Sequence, residues 1–259
     1  MFIIMINAIK QNERLKDCKV YLLGWSEGTI IAPLVAEKYS GTVDGLFLAG
    51  YANKNMKEIL IWQNSGGSSY AWFSCNFETD ERGSISRESF EADPNSIIAT
   101  ELHNSPFEVF DINNDGYIDE EDCIMRVTAI LGDFLNEMFA AIEKRDDVWL
   151  KTNYGTVNGV SLIPLTSAWF LEHFSLKSNM EVLPKLNLPI YIYHGTLDLN
   201  LDVREVYKIN EKFQELGKTN LTINVFNNHN HDLNFIEFIL KNNISEGIQA
   251  IFDTINNME

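Results

Sequence analysis

The chain has 259 residues, 45% of them hydrophobic and 12% aromatic, and carries a formal net charge of −17. That length and apolar fraction suit one large domain, or a core domain carrying an insertion, and they exclude wholesale disorder. Excess acid without a cluster of Lys and Arg excludes nucleic acid as a partner, because phosphate binding rests on clustered cations.

In chain order, MFIIMINAIK opens the sequence with an apolar run that lacks the charged leader and cleavage site of a signal peptide. It predicts an amphipathic helix to about Arg14 on Ile6 and Ile9, too short to span a membrane. No other stretch approaches a span, so the chain reads as soluble and, by default, cytoplasmic. KVYLLGW predicts a buried strand, EGTIIAPLVAEKY a helix with Ile30, Ile31, Leu34 and Val35 on one face, and DGLFLAG a second apolar strand. This helix–strand alternation is the rhythm of a parallel α/β sheet. It stops at residue 53 and resumes near 186. LPIYIYHG then predicts a strand, 203–217 a helix, LTINVFNN a strand, and 233–255 a last helix. Cys18, Cys75 and Cys123 fit neither a disulfide framework nor a zinc spacing.

The stretch GWSEGT places Ser26 in a Gly-x-Ser-x-Gly turn with a predicted strand before it and a helix after it. A serine hydroxyl becomes a nucleophile when a histidine takes its proton and a carboxylate orients that histidine. HGTLDLNLD supplies Asp198 four residues beyond a strand, with Asp202 in reserve as a charge at the next helix start. NNHNHDLN supplies His229 and His231 beyond the following strand.

GWSEGT, HGTLD and NHNHDL, in this order, resemble an α/β-hydrolase of the esterase and lipase-like type over residues 1–52 and 186–259. The resemblance implies Ser26 as nucleophile, Asp198 as orienting acid and His231 as base, the last preferred over His229 because it stands directly before Asp-Leu. It also implies the backbone N–H of Glu27 as an oxyanion donor, and Trp25 beside the nucleophile as part of a substrate pocket. The family's sheet has about eight strands, roughly four of them ahead of the nucleophile, and a second oxyanion donor comes from that early region. None of these is found ahead of GWSEGT. The expectation is an N-terminally incomplete core, such as a late start or a truncated product, whose strand KVYLLGW has an unpaired edge that invites self-association.

Residues 53–185 read as a helical cap insertion. Within it DINNDGYIDEED matches an EF-hand loop: Asp111, Asn113 and Asp115 fall at positions 1, 3 and 5, and Gly116 makes the turn. Tyr117 would coordinate through its carbonyl, and Asp119 and Asp122 occupy positions 9 and 12, where Asp122 replaces the usual glutamate. ETDERGSISRES, 78–89, reads as a degenerate partner loop, with Arg82 and Ser89 at ligand positions and Ile85 set to pack against Ile118. The loop 111–122 implies Ca²⁺; catalysis itself needs no cofactor. SAWFLEHF offers Trp169 and Phe170 as walls of an acyl pocket or as core residues.

The leading expectation is a partial α/β-hydrolase fold with an EF-hand-like cap, cleaving small-molecule carboxylic esters through an acyl-serine. The alternatives are a calcium-binding or interaction protein with little or no catalysis, and a peptidase or amidase on the same machinery.

Overall fold

The computed structural model describes residues 2–157, 160–161 and 165–258. The chain divides into two compact units, Met1–Asn55 with Lys177–Glu259, and Met56–Leu176.

The first unit is built on four parallel strands, β1 (Tyr21–Trp25), β2 (Gly45–Ala49), β7 (Ile190–Gly195) and β8 (Leu221–Phe226), in the order β1-β2-β7-β8. Their register sets Trp25 beside Ala49, Ala49 beside Tyr193, and Gly195 beside Phe226, so the carboxyl ends lie in a row. Helices cover the sheet, and β2 is buried along its whole length, as a continuous GLFLA run requires. Leu46, Leu48, Ile190 and Ile192 join Ile6, Val206, Ile209 and Phe213 in one core cluster; Phe47, Tyr193, Leu233 and Ile251 join another. β1 is an edge strand among the described residues, and Leu23 on it is 57% exposed.

The first helix ends at Gln11, short of Arg14; Ile6 is buried and Ile9 packs against the core, while Ile4 and Met5 face solvent. The helix Gly28–Lys38 buries Thr29, Ile30, Ala32, Pro33 and Ala36, leaving Ile31, Leu34 and Val35 half-buried. Small side chains on that face bring the helix close to the sheet. Pro33 lies inside it and has no N–H for the carbonyl of Thr29. Asn179 supplies the missing donor: its Nδ2 lies 2.8 Å from Thr29 O and 2.7 Å from Ala52 O. Residues 177–185 therefore belong with the first unit, although the break in the α/β rhythm placed them in the insertion. The predicted helix over 233–255 is two helices, Phe235–Lys241 and Glu246–Asn256. Asn242 ends the first with φ 52°, and the Ser245 hydroxyl caps the second.

The second unit is helical, with two small antiparallel ribbons, β3 (Ile85–Ser86) with β4 (Tyr117–Ile118) and β5 (Thr156–Val157) with β6 (Val160–Ser161). Its run 126–145 splits at Gly132, φ 54°, into the helices Glu120–Leu131 and Phe134–Lys144. One apolar cluster gathers Phe73, Phe77, Phe90, Phe107 and Phe110 around Ile85 and Ile118; a second gathers Leu60, Met138, Ile142, Leu150 and Phe170. No helix among the described residues is long and apolar enough to cross a membrane.

Candidate active site

Every sequence-predicted member of the serine site lies just past the carboxyl end of a parallel strand, where open α/β sheets present their ligands. Ser26 follows β1 with φ 53°, a left-handed conformation that costs a non-glycine residue energy. The turn is held from three sides. The Ser26 N–H donates to Ala49 O (3.0 Å), the Thr29 N–H to Ser26 O (2.8 Å), and the Thr29 hydroxyl to the same carbonyl (2.7 Å). Thr29 Oγ1 in turn accepts from the Ala52 N–H at 2.9 Å. Gly24 is required because a Cβ there would collide with the Gly28 carbonyl, whereas a Cβ on Gly28 would meet open space. The Glu27 N–H stands at the start of the following helix, where amides have no intrahelical acceptor.

Asp198 lies beyond β7 and is 2% exposed. Its Oδ1 accepts from the Asn200 and Leu201 N–H groups (2.8 and 2.9 Å), and Oδ2 lies 2.7 Å from His231 Nδ1. A carboxylate can only accept, so His231 carries its proton on Nδ1 and leaves a lone pair on Nε2. The loops after β7 and β8 are laced together by Leu197 N–H to His229 O (2.9 Å) and Asn228 N–H to Thr196 Oγ1 (3.1 Å). His231 also meets the end of β2, since a Cβ on Gly50 would stand 2.9 Å from His231 O and 3.0 Å from its Cε1. Ser26 and His231 thus both touch the Ala49–Gly50 turn. His231 remains 21% exposed.

The two histidines of NNHNHDLN separate by their partners. His229 is buried, with Nδ1 2.8 Å from Asn227 O and Nε2 accepting the Gly247 N–H at 3.2 Å, so both ring nitrogens serve the backbone. Asp202 is bound to Arg204 (2.8 Å) at the start of the helix Arg204–Glu215. Trp25 is half-buried against the Phe47–Tyr193 cluster.

Sequence reasoning missed His194. Its ring is fully buried, its Nδ1 accepts the Tyr51 N–H at 3.0 Å, and its Nε2 lies 3.3 Å from Leu201 O and 3.6 Å from Asp198 Oδ2. Burial pushes its pKa below the usual histidine value. A polar chain runs on from there: Tyr51 OH donates to Asn53 Oδ1 (2.9 Å), Asn53 Nδ2 to Glu205 (3.0 Å), and Glu205 pairs with Lys54 and Lys208. Burial lifts the Tyr51 phenol well above its ordinary range. The one local signal was position: His194 lies at the end of the strand that leads into the Asp198 loop.

In the second unit the loop 111–122 takes positive φ at Asn114 (59°) and Gly116 (92°). Asp111 accepts from the Asp115 and Gly116 N–H groups (both 3.1 Å), Asn113 Oδ1 from Asp115 (3.0 Å), and Asp115 from Tyr117 (3.0 Å). Asp119 caps the next helix. Asp122 accepts from Ile112, Asn113 and Asp119 (2.7, 3.1 and 3.1 Å), and burial raises its pKa. Ile85 pairs with Ile118 across β3 and β4. In the partner loop Asp80 binds Arg82 at 3.0 Å, and Ser89 Oγ donates to Glu78 O. No three His, Cys, Asp or Glu side chains converge on one metal position among the described residues. Phe170 is fully buried, in contact with Tyr154 and Phe174, and Trp169 stacks on His173 at 4.0 Å.

A scan against protein-family models and a search of curated proteins found no match. Solved structures similar to the chain include a carboxyl esterase from Bacillus coagulans, at 17% identity and TM-score 0.45, over 97% of this chain and 68% of that one. An esterase from Rhodococcus sp. ECU1013 follows at 16% and 0.43, over 99% and 70%. A meta-cleavage product hydrolase from Pseudomonas fluorescens IP01 stands at 15% and 0.41, over 95% and 67%. This chain thus spans about two thirds of their length.

Proposed function

We propose that the chain is a serine hydrolase of α/β-hydrolase type acting on small carboxylic esters. The observation that carries this reading is the contact of buried Asp198 with His231 at 2.7 Å, set beside a serine turn held at φ 53°. His231 Nε2 would take the Ser26 proton as Oγ attacks the ester carbonyl. The imidazolium so formed is stabilised by Asp198 and returns the proton to the departing alkoxide, releasing an alcohol. Water, deprotonated by the same nitrogen, then frees the acid and restores Ser26. The Glu27 N–H would donate to the oxyanion; a site that lacks one such donor is typically slower by about a hundred- to a thousandfold. Ester substrates are favoured over amides because an alkoxide is a better leaving group than an amide nitrogen. The test is hydrolysis of short- and medium-chain p-nitrophenyl esters against the matching anilides by the parent and Ser26→Ala. Ester turnover lost in the variant supports the reading, and equal anilide turnover would favour an amidase.

The loop 111–122 supports a second, compatible reading as a calcium site of structural role. Its left-handed turns, its oxygen donors and the Ile85–Ile118 pairing suit a hard cation. Asp111, Asn113, Asp115 and the Tyr117 carbonyl would hold the ion. Asp122 spends its oxygens on three backbone amides, which leaves one carboxylate fewer and lowers affinity. Millimolar Ca²⁺ is expected to raise the melting temperature of the second unit, and Asp122→Glu to lower the concentration needed. An unchanged melt in the parent and the variant would dismiss the site.

A further inference from the structure

Asp198 Oδ2 faces two imidazoles, and only one of them has a role in the chemistry above. His231 meets it at 2.7 Å; His194 Nε2 stands 3.6 Å away while also 3.3 Å from Leu201 O. The His194 tautomer is set by its other side. A peptide N–H can only donate, and the Tyr51 N–H points at Nδ1 from 3.0 Å, so the ring proton sits on Nε2. That N–H lies between the Leu201 carbonyl and the Asp198 carboxylate.

We propose that His194 is a positioning residue: a neutral, Nε2-protonated imidazole that steadies the Asp198 carboxylate and limits its basicity toward His231. This rests on the hydrolase reading of the same site. A lysine or arginine there would neutralise the acid and depress the base, whereas a neutral donor restrains the carboxylate without cancelling its charge. The groups facing His194 bear this out. Burial disfavours its cation most, His231 adds to that, and Asp198, Asp202 and the Leu201 carbonyl pull the other way, with the balance toward the neutral ring. The fold couples the two imidazoles through adjacent residues, since Gly50 packs against His231 and Tyr51 holds His194.

Two variants separate positioning from packing. In His194→Asn the amide oxygen can still accept the Tyr51 N–H, but no N–H stands where the ring presented one 3.6 Å from Asp198 Oδ2. In His194→Gln an amide N–H extends to where Nε2 stood. The readouts are the NMR titration of His231 Cε1–H and the pH profile of kcat/KM on an ester. With that N–H dipole gone from its side, Asp198 holds the imidazolium more tightly. The Asn variant should therefore shift the His231 titration and the acidic limb of kcat/KM upward by about half a unit or more, and lose about tenfold in rate near neutrality. Gln should recover most of both. In the parent, ¹⁵N shifts should report His194 as the Nε2–H tautomer at and above neutral pH, a result that needs no variant. A His194 Nδ1–H tautomer, or an Asn variant that leaves the His231 titration unmoved, would overturn the proposal. A parent without ester turnover would defeat the hydrolase reading instead, because the titration and the tautomer are read without activity.

Discussion

Asp198 and Asp122 are both buried aspartates, 2% and 1% exposed, and both accept backbone N–H groups from a loop. They differ in what takes the remaining electron density. Asp198 gives one oxygen to two amides and keeps the other for His231. Asp122 gives both oxygens to three amides and has no titratable partner among those contacts, so burial raises its pKa. In the proposed site one carboxylate would orient a base; the other closes a loop. Burial alone does not mark a chemical role; the last hydrogen-bond partner does.

The largest expected effect breaks the comparison at Asp198. Asp198→Asn should keep the two loop amides satisfied while presenting His231 with the wrong tautomer, and kcat should fall by about three to four orders of magnitude. Steady-state kinetics beside a melting curve would check this, with the melting temperature changing far less than the rate. Asp122→Ala is the structural counterpart. It leaves three amides without their acceptor and should destabilise the second unit by about 2–4 kcal/mol in urea titrations. Asn179→Ala should cost the first unit about 2–3 kcal/mol, because the Thr29 and Ala52 carbonyls then lose their shared donor inside the fold.

The smallest effect sharpens the contrast through pH. His194 has a lowered pKa in the fold, so its contribution to stability is full above the ordinary 6.5 and is lost as pH falls toward the folded value. Asp122 has a raised pKa, so its contribution is full below the ordinary 3.8 and is lost as pH rises through the folded value. Acidification therefore weakens one unit and relieves the other at these two residues. Melting His194→Gln and Asp122→Asn beside the parent across pH 3–8, as a scan of about that width, should flatten the two dependences in opposite senses. Parallel changes would contradict the assignment.

Much of this was legible because it is local. Ser26 sits in a turn whose first glycine, Gly24, answers to a clash with Gly28 four residues on, and the alternation of strand and helix places Asp198 and His231 after strands. The choice between His229 and His231 came from resemblance alone, and the structure separates them by the Asp198 contact at 2.7 Å. What was not legible is non-local. Asn179 reaches Thr29 across 150 residues, and the Tyr51 amide reaches His194 across 143. No pattern in one segment reports a donor supplied by another. The helix break at Asn242 was missed for a different reason: apolar periodicity continues through it, and only backbone conformation stops the helix.

The central claim is that Ser26, Asp198 and His231 form one reactive site. Fluorophosphonate labelling of the folded chain, read by intact mass, tests it most directly, because the reagent phosphonylates an activated serine and spares ordinary ones. The account predicts one added label on the parent, none on Ser26→Ala, and strongly slowed labelling of His231→Ala. A folded parent that takes no label, or a label that persists in Ser26→Ala, would contradict it.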